Sequence, residues 1–350
     1  IPAITPLIFN LSLIGSAWLV APKIDIPVMA LAWGVLLAGF LQLLFQIAPL
    51  ATIKKIPIPK IDFQNPGVKK FFILILPAIV AGGIAQINLL IDTIFASLLI
   101  TGSPTWLYVS DRLIQFPMGI FAIAIGTVLL PSLSKAYAQK EIQAYTEQLE
   151  HAFKLVFFLA IPSLIGLVLF ASPLLATIFQ RGAFLWSDVQ QASLSLIAFS
   201  FGLPFFMAMK VLVPAFFSRQ NTKTPMLIAF LSLLINVCLN YLLAFYFGLG
   251  HLGLAIASSI SAIVSVIILS FILKRDGLIS FTGILSTFSL KVLIASVALI
   301  SFLSIFNQYF DFELFTEVQR LLHLGAAVIG SLIIYFGVSF LLGLRTTDFK

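Results

Sequence analysis

The segment that decides the fold runs from Phe153 to Ala171 and reads FKLVFFLAIPSLIGLVLFA. Lys154 is its one charged residue. A helix needs about 20 apolar residues to cross a hydrocarbon core about 30 Å thick, and this segment has that length and composition. A helix on the surface of a soluble domain would carry a continuous polar stripe, which is missing here. The sequence therefore predicts a membrane-spanning helix.

Nine further segments have the same character. The chain of 350 residues is 61% hydrophobic and 9% charged, and its mean hydropathy is +1.13, whereas about 25% of an average soluble domain is charged. This composition excludes a soluble globule and a disordered chain. Cys238 is the only cysteine, which excludes an intrachain disulfide scaffold. We predict an all-α polytopic membrane protein with about ten spans. The predicted spans are approximately Ala3–Val20, Pro27–Pro49, Phe71–Leu99, Pro104–Leu130, Phe153–Ala171, Ala192–Phe217, Met226–Phe247, Leu252–Leu273, Phe288–Phe306 and Leu321–Leu344.

The basic residues between these spans fall mainly on one side when the loops are numbered alternately. Of the 20 Lys and Arg residues, fifteen lie on one side, either in a loop or, for Lys154 and Lys291, within the first four residues of a span. Lys23, Arg181 and Arg320 lie on the other side, and two lie deep inside spans. Because basic loops stay in the cytoplasm, we expect both ends of the chain to be cytoplasmic. The basic residues that give the net charge of +7 then lie mainly at the cytoplasmic surface, next to anionic membrane lipids. No nucleic acid is expected as a partner. The fifteen are Lys54, Lys55, Lys60, Lys69, Lys70, Lys135, Lys140, Lys154, Arg219, Lys223, Lys274, Arg275, Lys291, Arg345 and Lys350.

Two basic residues, Arg112 and Lys210, lie deep inside predicted spans, where a charge costs about 2.5 to 3.5 kcal/mol on insertion scales. Arg112 follows Gly102 by ten residues, which places it about 15 Å along a helix. Lys210 precedes Arg219 by nine residues, at a comparable depth from the other side. Together they favour a hydrated cavity that accepts an anion. The alternative for each is a tilted helix whose long side chain reaches an interface.

Arg112 shares a predicted polar helix face with Thr105, Tyr108 and Gln115, at spacings of three and four residues. Asp111 projects about 100° away from Arg112, so we expect it to pair with another helix. These four face residues are candidates for substrate binding.

Asn88 and Asp92 share a face of the third span and are further candidates for substrate binding. Polar groups that hold helices together give the same pattern, and both interpretations stay open. Asn236 and Asn240 in the seventh span fit the structural interpretation better than a ligand role.

Two long polar linkers separate the spans, at residues 53–70 and 135–150. The second has an amphipathic pattern, and it is either a helix on the membrane surface or an extension of the next span. We find no His or Cys in a metal-ligand spacing, no paired carboxylates, no nucleophile elbow and no phosphate loop. The sequence therefore favours neither an enzyme nor a cofactor-binding or metal-binding protein.

Several blocks of sequence, in order, resemble one family. They are Asp92–Ser97 (DTIFAS), Asp111–Leu113 (DRL), Gln115–Pro117 (QFP), Gly126–Ser134 (GTVLLPSLS), Phe179–Phe184 (FQRGAF) and Ser218–Pro225 (SRQNTKTP). The family is the MurJ (MviN) lipid II flippases, within the multidrug/oligosaccharidyl-lipid/polysaccharide exporter superfamily.

The resemblance implies a fold of fourteen helices in two lobes, and a location in the bacterial plasma (inner) membrane. The implied activity is alternating-access transfer of lipid II, an undecaprenyl diphosphate that carries a disaccharide pentapeptide, from the inner to the outer leaflet for peptidoglycan synthesis. Arg112 would correspond to a cavity arginine that engages the diphosphate. Thr105 stands where the family has a small hydroxyl residue, and Gln115 where some members have Glu. The peptidoglycan synthesis machinery is a further expected partner.

By the same resemblance the ten spans correspond to helices five to fourteen of the family, so we expect the chain to be a fragment without the first four. Residues 1–66 would hold the last two helices of the N-terminal lobe and a cytoplasmic linker, residues 67–276 the six-helix C-terminal lobe, and residues 277–350 two additional helices. Two alternatives to a lipid II flippase stay open. One is another exporter of the superfamily, moving a polysaccharide lipid or a drug coupled to a cation, and the other is a non-transporting membrane scaffold.

Overall fold

The computed structural model describes residues 5–52, 66–279, 287–310 and 312–344, and within these ranges the chain is built from helices. Ten of the described helical stretches are long and apolar enough to cross a membrane, which confirms the predicted fold class. The α-helices are α1 (Thr5–Gly15), α2 (Pro27–Thr52), α3 (Pro66–Ser97), α4 (Ser103–Pro117), α5 (Ile123–Ala138), α6 (Ile142–Leu169), α7 (Ala171–Phe179), α8 (Trp186–Phe217), α9 (Lys223–Asn240), α10 (Gly250–Arg275), α11 (Thr287–Tyr309) and α12 (Glu317–Leu341).

Three of the helices continue into π-helical turns, at Ser16–Val20, Met118–Ala122 and Tyr241–Tyr246. The second of these joins α4 to α5, so that residues 103–138 form one continuous helical stretch. It follows Pro117, which lacks an N–H to donate to the preceding turn and therefore favours a local widening of the helix. The predicted span from Pro104 to Leu130 is thus part of a longer helical stretch.

Residues 1–68 and 69–350 form two separate compact units. In the first unit, α1 and α2 are an antiparallel pair. Ser12 Oγ donates to Gly34 O at 2.8 Å, and Gln42 Nε2 donates to Thr5 O at 2.9 Å. A Cβ on Gly34 would lie 2.5 Å from Ser16 Oγ, so the small residue permits this close approach. The division of the chain into three parts stays a prediction.

The second unit is organised around α8, which packs on α4, α6, α7 and α10. Leu196, Leu203, Met207, Leu212 and Phe216 of this helix are fully buried. Because lipid tails are as apolar as these side chains, close packing rather than water exclusion holds such a bundle together. Helix α8 is therefore the central element of this unit.

Helices α11 and α12 pack on each other, and α11 also packs on α6 and α12 on α7. Tyr335 Oη of α12 donates to the carbonyl of Phe158 in α6 at 2.7 Å. Helix α6 therefore joins the last two helices to the bundle around α8.

The linker at residues 135–150 is not a separate surface helix. Helix α6 begins at Ile142 and continues to Leu169, so the structure has the second of the two predicted arrangements. Tyr145 is fully buried, and its Oη donates to Ala215 O of α8 at 2.6 Å. Leu149 and Ala152, on the same apolar face as Tyr145, are also buried in the bundle. Most of the other linker, residues 53–65, lies outside the described residues.

Candidate functional site

The exposed face of α4 carries the four predicted polar residues Thr105, Tyr108, Arg112 and Gln115. The opposite face is buried and packs on α8. This division follows from the sequence, because the polar residues recur at spacings of three and four residues and so share one face of the helix. The structure therefore brings all four of these candidates together.

The guanidinium of Arg112 is held by two neighbours on its own helix. Its Cζ lies 4.7 Å from the centre of the Tyr108 ring, and Nη1 donates to Gln115 Oε1 at 3.4 Å. No ion pair of the described residues involves Arg112. Arg112 thus presents a positive charge on a spanning helix, with a ring and an amide as its partners.

The prediction that Asp111 pairs with another helix is wrong for the described residues. Among the described residues, Asp111 has no hydrogen-bond partner on another helix; its Oδ2 accepts a short hydrogen bond from Gln115 Nε2, one turn further along α4. Positions four residues apart lie above each other on a helix, so an amide of this length reaches the carboxylate directly. Gln115 consequently links the acidic and the basic residue of the same turn.

Asn88 and Asp92 belong to a second polar cluster, which we call the asparagine cluster and define as Asn88, Asp92, Asn236, Asn240 and Ser258. Asn240 Nδ2 donates to Asp92 Oδ1 at 2.6 Å and lies 2.9 Å from the side-chain amide of Asn236, while Asn88 Nδ2 donates to Asp92 Oδ2 at 3.1 Å. The amide of Asn236 also lies 3.2 Å from Ser258 Oγ. The cluster therefore ties α3 to α9 and α10, and no hydrogen bond of the described residues connects it with Arg112.

Lys210 is exposed on α8 and lies far from Arg112. Helices α4 and α8 run side by side in the same direction, because Trp106 Nε1 donates to Asp188 at 2.8 Å and Ser110 Oγ donates to Ala192 O at 2.8 Å. Arg112 is then level with residue 194, and Lys210 lies about 24 Å beyond that level at 1.5 Å per residue. The two basic residues do not share the comparable depth that their distances from the loops suggested.

A polar network that the sequence did not reveal joins the first turns of α4, α8 and α10. His251 Nδ1 lies 2.6 Å from Ser195 Oγ, its Nε2 lies 3.0 Å from Gln191 Oε1, and its ring packs edge-on against Trp106. Gly102, with φ of +102°, places the chain directly against the Trp106 ring. Sequence spacing could not find this network, because its members come from three separate spans.

Arg320 is another residue whose role was hidden in the sequence. It was assigned to a loop by its position, but it lies in the first turn of α12 and is 7% exposed. Its guanidinium donates to Phe312 O at 2.8 Å, to Glu313 O at 3.0 Å and to Gln180 Oε1 at 2.7 Å. This arginine fixes the connection between α11 and α12.

Comparison with known proteins extends this description. The family described as "Lipid II flippase MurJ" matches residues 1–319. The probable lipid II flippase MurJ of Vibrio cholerae is 37% identical over all of this chain and 66% of its own length. That of Haemophilus influenzae is 37% identical over 97% of this chain and 68% of its own. The chain thus spans about two thirds of the length of these relatives.

Solved structures give the same result. The chain is similar to a structure of lipid II flippase MurJ in an inward closed conformation, with a TM-score of 0.71 and 26% identity over 97% of this chain and 67% of that one. An outward-facing multidrug resistance MATE family transporter of the MOP superfamily shares the fold at a TM-score of 0.54, with 17% identity over 77% of this chain and 63% of that one. With ten spanning helices, a cationic helix face and matches along nearly its whole length, the chain belongs to the lipid II flippase MurJ family.

Proposed function

We propose that this chain takes part in moving lipid II across the bacterial inner membrane by alternating access. A lipid flippase has to carry a headgroup with several charges and many hydroxyls through hydrocarbon. A hydrated, cationic surface lowers the free energy of that passage, because it replaces part of the hydration of the anion. The process needs no covalent chemistry from the chain itself.

The observation that carries this proposal is the exposed guanidinium of Arg112 on α4. Its planar fork of N–H groups matches the oxygens of a diphosphate. Tyr108 and Gln115 hold it without neutralising its charge, since neither is ionic. Thr105 would add a hydroxyl on the same face. These four residues form the proposed contact with the headgroup.

The asparagine cluster and Lys210 have other roles in this proposal. Asp92 is engaged by two amides from different helices, so we assign Asn88 and Asp92 to the packing of α3 against α9. Lys210 lies about 24 Å away along the bundle, so it would meet the anion only at another stage of its passage.

Replacing Arg112 in an intact flippase tests the proposal. We expect Arg112→Ala to lower the rate of lipid II exposure at least tenfold, because a hydrogen bond to a charged group contributes about 1.5 to 3 kcal/mol. Arg112→Lys should be intermediate, since an ammonium group keeps the charge but lacks the fork. The measured quantity is the rate at which lipid II becomes accessible at the outer surface of the membrane, either to an impermeant label or to an enzyme that cleaves it.

The control is Arg181→Ala, which removes an exposed arginine from the connection between α7 and α8. Full exposure rates in both Arg112 variants would remove this residue from the mechanism. The rival interpretation, a non-transporting scaffold, predicts that the α4 face meets lipid rather than water. Cysteine substitution at positions 105, 108, 112 and 115 distinguishes the two, since a water-soluble maleimide labels only a hydrated face.

We further propose that both ends of the chain lie in the cytoplasm, and that the synthases which consume exported precursor contact its outer loops. The reason for the second proposal is chemical, since a lipid-linked precursor delivered to the outer leaflet needs an acceptor enzyme there. Photo-crosslinking from positions 181 and 314 in cells tests it, and capture of such a synthase at neither position would contradict it.

A further inference from the structure

A cavity of about 380 Å³ lies where α11 meets the rest of the second unit. The end of α6, the start of α7, the first turns of α8 and the end of α11 surround it. Its polar walls are Ser172, Asn307 and Gln308, and its aromatic walls are Trp186, Phe310 and Phe312. This volume falls within the range of small-molecule sites, roughly 300 to 1,000 Å³. None of these residues belongs to the α4 face or to the asparagine cluster.

The walls of this cavity are held in place by interactions on every side. Ser172 Oγ lies 2.9 Å from Ser193 Oγ of α8. The Phe310 ring packs 4.6 Å from Phe306 and 4.5 Å from His323. The buried guanidinium of Arg320 binds the carbonyl of Phe312, as described above. Burial of a charged guanidinium in a lipid environment is unfavourable unless it is hydrogen-bonded. The bonds of Arg320 therefore give this turn a defined position.

Three groups around the cavity have hydrogen-bonding capacity that the protein leaves unused. Asn307 and Gln308 are exposed, and neither bonds to another described residue. The Nε1–H of Trp186 is buried beside the cavity and has no acceptor among the described residues. Buried donors without partners are rare in native structures. The buried N–H of Trp186 and the two exposed amides can therefore bond to a polar ligand.

The chemistry of the described wall selects an uncharged, hydroxyl-rich group. No described residue of the wall is charged, whereas phosphate and carboxylate ligands are bound by Arg or Lys forks. Amides offer donors and acceptors side by side, as sugar hydroxyls do. Aromatic faces such as those of Trp186 and Phe310 pack against the C–H surface of a sugar ring. Asp311, between two wall residues, lies outside the described residues.

The depth of the cavity indicates that the sugar is attached to a lipid. Trp186 begins α8, and Ile197, which also lines the cavity, is eleven residues further along, or about 16 Å deeper. Val168, Leu169 and Ile197 make the deeper wall apolar. Ser172 contacts Ser193, seven residues into α8. A ligand that fills this space therefore has its polar part between the levels of Trp186 and Ser193, and its apolar part beside Ile197 within the hydrocarbon.

We propose that this cavity binds the sugar headgroup of a neutral glycolipid. The site would act beside the flippase activity and does not depend on Arg112, so the failure of one proposal leaves the other standing. Native mass spectrometry of the purified full chain tests it, with monoglucosyl diacylglycerol as the probe. Phosphatidylglycerol, phosphatidylethanolamine and free maltose are titrated in parallel.

Two variants remove the site in different ways. The double variant Asn307→Leu with Gln308→Leu deletes the amides, and Val168→Phe fills the apolar end. We expect each to bind monoglucosyl diacylglycerol about tenfold more weakly, the effect of losing one to two hydrogen bonds or the space for the ligand. The matched control is Gln190→Leu, an exposed glutamine of α8 that does not line the cavity. It should bind the probe as the unmodified chain does.

Equal binding of the probe to the double variant and the unmodified chain would overturn the proposal. So would phosphatidylglycerol or phosphatidylethanolamine binding as tightly as the probe with the same dependence on the two variants. Maltose binding with that dependence would keep the sugar but overturn the assignment to a lipid-linked one. Asn307 and Gln308 make no bond within the described protein, so the double variant should fold, and an unchanged melting temperature verifies this.

Discussion

Tyr108 and Gln115 flank Arg112 on α4, one turn before it and nearly one turn after it. The ring attracts the guanidinium through its electron-rich face, and the amide accepts from it while donating to Asp111. These contacts restrict the rotamers of a long side chain that is otherwise exposed. At the scale of single residues, the site is therefore a positioned cation rather than a mobile one.

The aromatic ring of Tyr108 should matter more than its hydroxyl. We predict that Tyr108→Phe keeps lipid II transport near its original rate, while Tyr108→Leu lowers it about two- to fivefold. An exposed cation–π contact contributes about 0.5 to 1 kcal/mol, and only the second variant removes it. The exposure rate of lipid II in an intact flippase gives the answer. A Phe variant as impaired as the Leu variant would show that the hydroxyl, not the ring, is required.

The amide of Gln115 should contribute separately from the ring. We predict a two- to tenfold loss of transport in Gln115→Leu, because a net hydrogen bond contributes about 0.5 to 1.5 kcal/mol. Gln190→Leu is the matched control, since it removes the same amide from an exposed position of α8. The same lipid II exposure measurement applies. Equal rates in the two variants would mean that Arg112 needs no support from Gln115.

Among the elements, α10 comes into close backbone contact at Gly253 with the π-helical turn that continues α9. A Cβ at this position would lie 2.7 Å from the backbone nitrogen of Ala244, in the π-helical turn that continues α9. Small residues allow such contacts between membrane helices, and van der Waals packing then stabilises the pair. The pair also carries Asn236, Asn240 and Ser258, so its spacing determines the geometry of the asparagine cluster.

Gly253→Ala should destabilise the chain by about 1 to 3 kcal/mol, because one methyl group already forces backbone apart. Gly325→Ala is the control, since a Cβ there meets nothing within 4 Å and alanine favours a helix. We expect a lower thermal unfolding midpoint for the first variant and an unchanged or higher one for the second. Equal midpoints would show that this contact relaxes without penalty.

At the scale of the whole molecule, fifteen basic residues against three predict one orientation in the membrane. The test uses a chain in which Cys238 is replaced by Ser, with single cysteines at position 140 or 181. We predict that a membrane-impermeant maleimide added to intact cells labels position 181 and leaves position 140 unlabelled until the cells are opened. The reverse pattern would place the termini outside.

The sequence by itself determined which segments span the membrane and which residues share a helix face. Both properties are local, since hydropathy measures the transfer of a single helix into lipid and a spacing of three or four residues fixes one side of it. That is why all ten spans and the exposed face with Thr105, Tyr108, Arg112 and Gln115 are visible before any coordinates. The blocks of sequence that resemble the family are short, so they too are recognised without the tertiary structure.

Which residues of different helices contact each other depends on the tertiary structure. It gave Asp111 a partner on its own helix, placed Lys210 about 24 Å from the level of Arg112, and bound Asp92 to Asn240 of another span. It also assembled the cavity at Trp186 from four helices. These features depend on the neighbours of each helix and on their vertical offsets. Packing between helices sets both the neighbours and the offsets. Hydropathy cannot predict them, because the apolar character that inserts a helix into lipid is nearly the same for every helix.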